Sequence, residues 1–128
     1  MAKTSVTFRT GTKPRLPKAV AAAVRAAHDR KGVDLVVLDL RKTDAFTDYF
    51  MICTGQSSRQ MTAIADSIED ALRELGERAA VVEGGKGSEW ILLDYFSFVV
   101  HVFSRECRGF YDLERLWGTA VRHEIAEA

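Results

Sequence analysis

The stretch S-E-W-I-L-L-D-Y-F-S-F-V-V-H-V-F-S, residues 88–104, decides how the rest of this chain can fold. It contains two apolar runs of about six residues each, Trp90–Tyr95 and Phe98–Phe103, which is an ordinary strand length. Between them stands the pair Phe96-Ser97, which has the length of a tight hairpin turn. The pattern therefore predicts two antiparallel strands joined as a β-hairpin.

The two faces of this hairpin differ, because side chains alternate between faces along each strand. One face is apolar throughout and should pack on helices: Ile91, Leu93, Tyr95, Phe98, Val100 and Val102. The other face carries the cross-strand pairs Trp90 with Phe103, Leu92 with His101 and Asp94 with Val99. Trp90, Leu92 and Phe103 suit an exposed docking patch, with Asp94 and His101 at its edge. The composition leaves open the alternative that another part of the chain covers this face.

Length and composition indicate a globular chain of one domain. With 128 residues, 47% of them hydrophobic, it can bury roughly two thirds of its surface without disulfides or metals. No apolar run approaches the roughly twenty residues that a membrane span requires, and no apolar signal core stands near the start. A cytoplasmic location and no membrane partner are therefore expected. Cys53 and Cys107 are far apart in sequence and are expected to be reduced thiols.

Charge is distributed unevenly although the net charge is zero. Residues 1–42 hold ten lysines and arginines but three aspartates, a net charge of +7, so residues 43–128 carry −7. An acidic body argues against wide contact with nucleic acid phosphates, which need many basic side chains. It favours a basic protein partner, and ribosomal proteins are the commonest basic proteins in a cell.

The rest of the sequence is predicted to form a basic tail, helices and buried strands. Residues 1–15 are basic, lack a hydrophobic period and are expected to form a mobile tail. Strands are predicted for Val33–Leu40 and Tyr49–Thr54, and Ala79–Val82 is a short apolar run before a flexible loop at residues 83–87. Helices are predicted for Pro17–Lys31, for the segment from the capping box at Ser57 and Gln60 to Gly76, for short turns after Ser104, and for a tail over residues 121–128.

Signs of catalysis are weak in this sequence. Gly55 and Ser57 follow a predicted strand, but neither of the glycine-rich phosphate-binding motifs is present. A nucleotidyltransferase would need two or three carboxylates that converge on magnesium, and Asp66 has no acidic strand after it. The histidines lie far apart and without ligand spacing, at positions 28, 101 and 123. We expect no enzyme, cofactor or metal site, and a nucleotidyltransferase-like enzyme stays as the alternative.

Five segments, taken in order, resemble the ribosomal silencing factor family, which is related to the plant Iojap protein. They are D-Y-F-M-I-C-T-G at 48–55, S-S-R-Q-M-x-A-I-A at 57–65, W-I-L-L-D-Y at 90–95, V-V-H-V-F-S at 99–104 and F-Y-D-L-E-R-L-W at 110–117. The resemblance implies an α/β fold: one domain over residues 16–120, with a mixed, roughly five-stranded sheet, flanking helices and a C-terminal antiparallel hairpin. It also implies no catalytic activity.

The resemblance implies a partner as well. Members of the family bind the large ribosomal subunit at the ribosomal protein numbered fourteen, on the inter-subunit face, and block joining of the small subunit. On matching positions, the partner surface would include Trp90, Leu92, Asp94, His101, Tyr111, Glu114 and Trp117. Arg59 lies in an equally characteristic segment and is a further candidate, and Phe103 is a candidate from the hairpin pattern. A homodimer through the same face is the other interpretation.

The chain departs from the family at the hairpin turn. Phe96-Ser97 stands where the family usually has Gly-Asp. The glycine that most easily takes a positive φ is therefore missing. The turn is expected to be distorted or longer than two residues.

Overall fold

The predicted hairpin lies within one mixed sheet in the computed structural model, which describes residues 7–8 and 16–126. In chain order the described elements are β1 (Thr7–Phe8), α1 (Lys18–Asp29), β2 (Val33–Asp39), β3 (Tyr49–Thr54), α2 (Ser58–Glu74), β4 (Val81–Glu83), β5 (Trp90–Asp94), β6 (Phe98–Phe103), α3 (Arg105–Tyr111), α4 (Leu113–Leu116) and β7 (Val121–Ala126). The mixed α/β fold of a single domain is confirmed.

The strands of this sheet follow the spatial order β1-β7-β2-β3-β6-β5-β4. The neighbours β3 and β6 are parallel, and the other pairs are antiparallel. The described residues thus contain seven strands where roughly five were expected, because both ends of the chain contribute a strand. These additional strands, β1 and β7, extend the sheet beyond β2.

The register of the hairpin is the predicted one: Trp90 pairs with Phe103, Leu92 with His101 and Asp94 with Val99. The turn keeps its length of two residues, and Phe96 takes a φ of 72°. Two side chains hold this unusual backbone. The Phe96 N–H donates to Asp94 Oδ1 at 2.9 Å, and its carbonyl accepts from Thr47 Oγ1 at 2.8 Å. The expected distortion is therefore confined to Phe96 and does not change the pairing.

Helices α1 and α2 cover one face of the sheet. Ser57 caps α2, because its Oγ accepts from the Gln60 N–H at 3.1 Å. The Gln60 side chain accepts from the Gln56 N–H, so the reciprocal half of the capping box is displaced by one residue. The predicted apolar face of the hairpin packs under these helices, and all six of its residues are buried: Ile91, Leu93, Tyr95, Phe98, Val100 and Val102.

The two ends of the chain differ from the prediction. The helical tail predicted for residues 121–128 is wrong, because Val121–Ala126 forms β7 and Ile125 is buried in the core. The open edge of β2 supplies hydrogen-bond partners for this segment, and that tertiary pairing outweighs its local preference. The tail predicted for residues 1–15 lies outside the described residues except at Thr7–Phe8, whose backbone pairs with β7 as β1.

Candidate functional site

The mixed face of the hairpin lies on the side of the sheet opposite α1 and α2. Residues 105–117, which comprise α3 and α4 and which we call the C-terminal strap, cross this side. Phe103 is 0% exposed and His101 is 3% exposed beneath it. The prediction that Phe103 is an exposed anchor and that His101 lies at the edge of the patch is therefore wrong.

The position of each strand in the sheet explains which residues are covered. Strand β6 is central, between β3 and β5, so the strap closes over its Val99, His101 and Phe103. Strand β5 lies next to β4, a strand of three residues at the edge of the sheet. Trp90 and Leu92 of β5 therefore stay half-buried and reach the surface.

What remains open is a patch of four large side chains, Trp90, Leu92, Phe110 and Tyr111, which we call the aromatic patch. Tyr111 is 47% exposed, and its ring centroid lies 4.6 Å from that of Trp90. Phe110 is 81% exposed and lies 5.1 Å from Tyr111, edge to face. The patch thus joins one strand of the hairpin to the strap, and its large exposed rings are typical of a protein-binding surface.

Strand β4 extends the same face. Val81 pairs with Asp94 and Glu83 pairs with Leu92, so both side chains lie on the side of the aromatic patch. Sequence reasoning missed these two residues and Phe110. The β-branched pair Val81-Val82 favours a strand, but three residues are too few to fix a register from sequence.

Trp90 is held by a hydrogen bond to the buried histidine. The indole Nε1 donates to His101 Nδ1 at 3.0 Å. Because Nδ1 accepts, the proton of the neutral ring is on Nε2, and that atom has no hydrogen-bond partner among the described residues. Burial lowers the pKa of His101 to about 4, so the ring is neutral at physiological pH. His101 therefore orients Trp90 from below the surface.

Arg108 fixes the strap to the sheet and also makes an enclosed ion pair within the strap. Arg108 Nη2 donates to Glu114 Oε2 at 2.9 Å, and the two side chains are 11% and 13% exposed. Arg108 Nη1 donates to Thr54 Oγ1 at 2.9 Å and also to the carbonyl oxygen of Asp34. Glu114, predicted to contact a partner, is thus engaged within the chain, and we call this set of bonds the Arg108 clamp.

The other predicted site residues have separate places. Asp94 accepts from the backbone of the turn, and its half-buried side chain borders the aromatic patch. Trp117 is half-buried, and its ring centroid lies 6.2 Å from that of Phe50, edge to face, which is a packing contact. Arg59 is exposed in the first turn of α2, on the opposite side of the sheet. The structure therefore brings together Trp90, Leu92, Asp94 and Tyr111, but not Arg59.

The glycine-serine junction considered for nucleotide binding borders a cleft of about 410 Å³. Its lining includes Gly55, Ser57 and Glu89, whereas Asp66 does not line it. Glu89 Oε1 accepts from the Ser104 hydroxyl at 3.1 Å, which joins the residue before β5 to the N-cap of α3. Among the residues that the structure describes, no three metal-ligating side chains are grouped as a metal site would require.

Comparisons with known proteins agree with this geometry. A family profile described as ribosomal silencing factor during starvation matches residues 13–128. A ribosomal silencing factor of Bacillus subtilis is 40% identical over 98 residues, which are 77% of this chain and 83% of that protein. A crystal structure of a protein from Chromobacterium violaceum superimposes with a TM-score of 0.77 at 35% identity, and covers 82% of this chain and 88% of that one.

Two longer relatives have names that refer to the chloroplast and to the mitochondrion. The chloroplastic Iojap protein of Zea mays is 36% identical over 104 residues, 79% of this chain and 44% of that protein. A mouse protein named mitochondrial assembly of ribosomal large subunit protein 1 is 31% identical over 87 residues, 66% of this chain and 38% of that protein. No helix in the described part of this chain is long and apolar enough to cross a membrane.

Proposed function

This chain belongs to the ribosomal silencing factor family, and from that membership we propose that it represses translation by binding the large ribosomal subunit in the cytoplasm. The chain contacts the ribosomal protein numbered fourteen of the large subunit, and the bound chain blocks association with the small subunit. The name of the mouse relative, which refers to the large subunit, supports the choice of subunit. In the structure, the aromatic patch is the observation that supports this proposal most directly.

The aromatic patch has the features of a protein-binding surface. Trp90 is half-buried between Phe103 and Tyr111, with ring centroids at 4.9 and 4.6 Å, so it is held rigid before a partner arrives. Aromatic side chains dominate the binding energy of protein interfaces, and a preorganised ring loses little conformational entropy on binding. Trp90, Leu92 and Tyr111 are therefore the proposed anchors.

The surroundings of the patch favour a basic partner. Glu83 and Asp94 flank Leu92 on the same face, and Glu89 precedes Trp90 directly. A carboxylate rim attracts a cationic protein and disfavours a phosphate backbone. The patch itself is thus proposed to contact the basic ribosomal protein with little direct contact to nucleic acid.

The proposed mechanism is steric and involves no chemical reaction. A body of 14.3 kDa that occupies the inter-subunit face prevents the small subunit from reaching the same surface. A standard interface of about 800 Å² per partner is enough to hold it there. The proposed role is therefore regulatory and not enzymatic, and it requires no cofactor.

A subunit-association assay tests this function directly. Purified large and small subunits are mixed with and without an excess of this protein, and joined ribosomes are separated on a sucrose gradient. We expect the peak of joined ribosomes to fall and the protein to sediment with large subunits. Unchanged association in the presence of bound protein would disprove the steric mechanism, and absence of co-sedimentation would disprove subunit binding.

Replacing Trp90 with alanine is expected to weaken large-subunit binding by about 2 kcal/mol, roughly thirtyfold in Kd, because an anchor is lost from the centre of the patch. The matched control is Phe46→Ala, since Phe46 is 78% exposed but lies in the connection between β2 and β3. Its Kd should change less than about twofold. Equal co-sedimentation of both variants with large subunits would remove Trp90 from the interface.

Self-association through the aromatic patch is the second candidate function, since an exposed apolar surface can also form a symmetric dimer. Light scattering on the wild type and on Trp90→Ala distinguishes the two. A shift from dimer to monomer with subunit binding intact would assign the patch to self-association. A change in subunit binding alone would assign it to the ribosome.

A further inference from the structure

Four exposed cationic side chains meet at the end of the molecule where α1 ends and α2 begins. We call them the basic corner: Arg30, Lys31, Arg59 and Lys86. The Gln60 side chain joins the two helices, because Nε2 donates to the carbonyl of Lys31 at 2.9 Å and to that of Arg30 at 3.3 Å. The loop that carries Lys86 is joined to α2 through the Gly87 N–H, which donates to Ser58 Oγ at 3.0 Å.

The charge of the basic corner is available to a ligand. Among the described residues, none of the four side chains makes an ion pair or a hydrogen bond to a carboxylate. Lys31 also has a φ of 62°, a left-handed conformation in which glycine is the usual residue at a helix end. The fold thus keeps a lysine at a position that would favour glycine on conformational grounds alone.

The loop that carries Lys86 connects the basic corner to the aromatic patch. Loop 84–89 runs from the end of β4, through Lys86, to Trp90 at the start of β5. Gly84 takes a φ of 82°, and a side chain there would meet the Trp90 carbonyl, so the start of the loop packs closely on β5. A large partner that covers Trp90 therefore lies near Lys86, and the groups around it can reach the rest of the basic corner past the end of the sheet.

We propose that the basic corner contacts phosphates of ribosomal RNA beside the ribosomal protein that occupies the aromatic patch. This inference rests on the proposed function and adds a second class of ligand to it. Ribosomal proteins are embedded in RNA, and unpaired lysine and arginine side chains are the groups that bind phosphate backbones. The contact is small, since it involves four cations at one end of an otherwise acidic body.

Salt dependence distinguishes this contact from a protein contact. Each phosphate contact releases counterions, so the loss of one cation lowers the slope of log Kd against log salt by about one. The test variant is Lys31→Gly with Arg59→Gln, in which glycine also suits the left-handed backbone at position 31. The matched control, Lys18→Gln with Lys42→Gln, removes the same charge from exposed positions outside the basic corner, at the first turn of α1 and after β2.

Binding to purified large subunits is measured at several salt concentrations, and binding to the isolated ribosomal protein numbered fourteen is measured in parallel. We expect the test variant to bind subunits about tenfold more weakly at roughly 0.1 M salt, with a slope lower by about one to two. For the control variant, the slope of log Kd against log salt concentration should equal that of the wild type. Both variants should bind the isolated protein as the wild type does, and neither should unfold at a lower temperature.

Three results would overturn the RNA contact. An unchanged slope with intact subunit binding would reject the basic corner and leave the proposed function standing. An equal loss of affinity for the isolated protein would assign the basic corner to an acidic surface of that protein. Failure of the wild type to bind subunits at any salt concentration would reject the proposed function, and this inference with it.

Discussion

Replacing Arg108 with methionine is expected to lower the free energy of unfolding by about 3 kcal/mol, because it leaves the enclosed Glu114 carboxylate without its closest cation. Arg122 Nη2 is 3.9 Å from the same carboxylate, too far for a hydrogen bond. The Thr54 hydroxyl, in a residue only 2% exposed, also loses its donor. Urea unfolding followed by circular dichroism measures this change.

The matched control for Arg108 is Arg73→Met. Arg73 pairs with Asp70 at 2.9 Å, the same distance as in the Arg108 clamp, but these side chains are 54% and 72% exposed. Exposed ion pairs contribute little, so the expected cost is below about 0.5 kcal/mol. The double variant Arg108→Met with Glu114→Met should recover at least half of the loss, because no unpaired charge remains. Equal costs for the two single variants would show that the Arg108 clamp does not stabilise the strap.

The Arg108 clamp also connects stability to the proposed function. It holds the strap on the sheet, and Tyr111 in the strap packs against Trp90. Within α3 and α4, Leu113 is the one buried apolar residue, and even it is 9% exposed. With so little apolar burial, polar bonds must supply much of the docking energy of the strap. Arg108→Met is therefore expected to weaken subunit binding as well, because Tyr111 would no longer be held against Trp90 in the aromatic patch.

The hairpin and its register could be predicted from sequence because the information is local. Two apolar runs separated by two residues fix the pairing of Trp90 with Phe103, and alternation then assigns each side chain to a face. The capping signal at Ser57 is equally local, since donor and acceptor lie three residues apart. Such short-range patterns determined the strands and helices from β2 to β6.

What covers the mixed face could not be predicted, because the contacts that decide it are long-range. Arg108 and Thr54 are 54 residues apart in sequence, and no periodic pattern joins them. The strand character of Val121–Ala126 likewise depends on the free edge of β2, which is visible only once the sheet is assembled. The alternating pattern assigns Phe103 to the correct face of the hairpin, but it does not show whether another part of the chain covers that face.

Protonation of His101 is expected to remove about 3 kcal/mol from the free energy of unfolding as the pH falls from 7 to 4. The pKa of this buried ring is about 4 in the folded chain and 6.5, its ordinary value, in the unfolded chain. The unfolded state therefore binds more protons below about pH 6.5, so its population rises as the pH falls. The neutral ring contributes its full stabilisation above pH 6.5 and loses it progressively towards pH 4.

The variant His101→Asn isolates this effect, since the amide oxygen of asparagine can accept from Trp90 Nε1 as Nδ1 does but does not titrate. Urea unfolding of both proteins is measured at pH 7.5, 6, 5 and 4. Subtracting one free energy of unfolding from the other removes the contribution of the carboxylates, because the two proteins share them. The free energy of unfolding of the wild type, minus that of His101→Asn, should be lower by about 2 kcal/mol at pH 5 and by about 3 kcal/mol at pH 4 than it is at pH 7.5. A constant difference across this range would mean that the pKa of His101 is the same in the folded and the unfolded chain. In that case burial beneath Trp90 would not oppose protonation of the ring, and water would have to reach the imidazole in the folded chain.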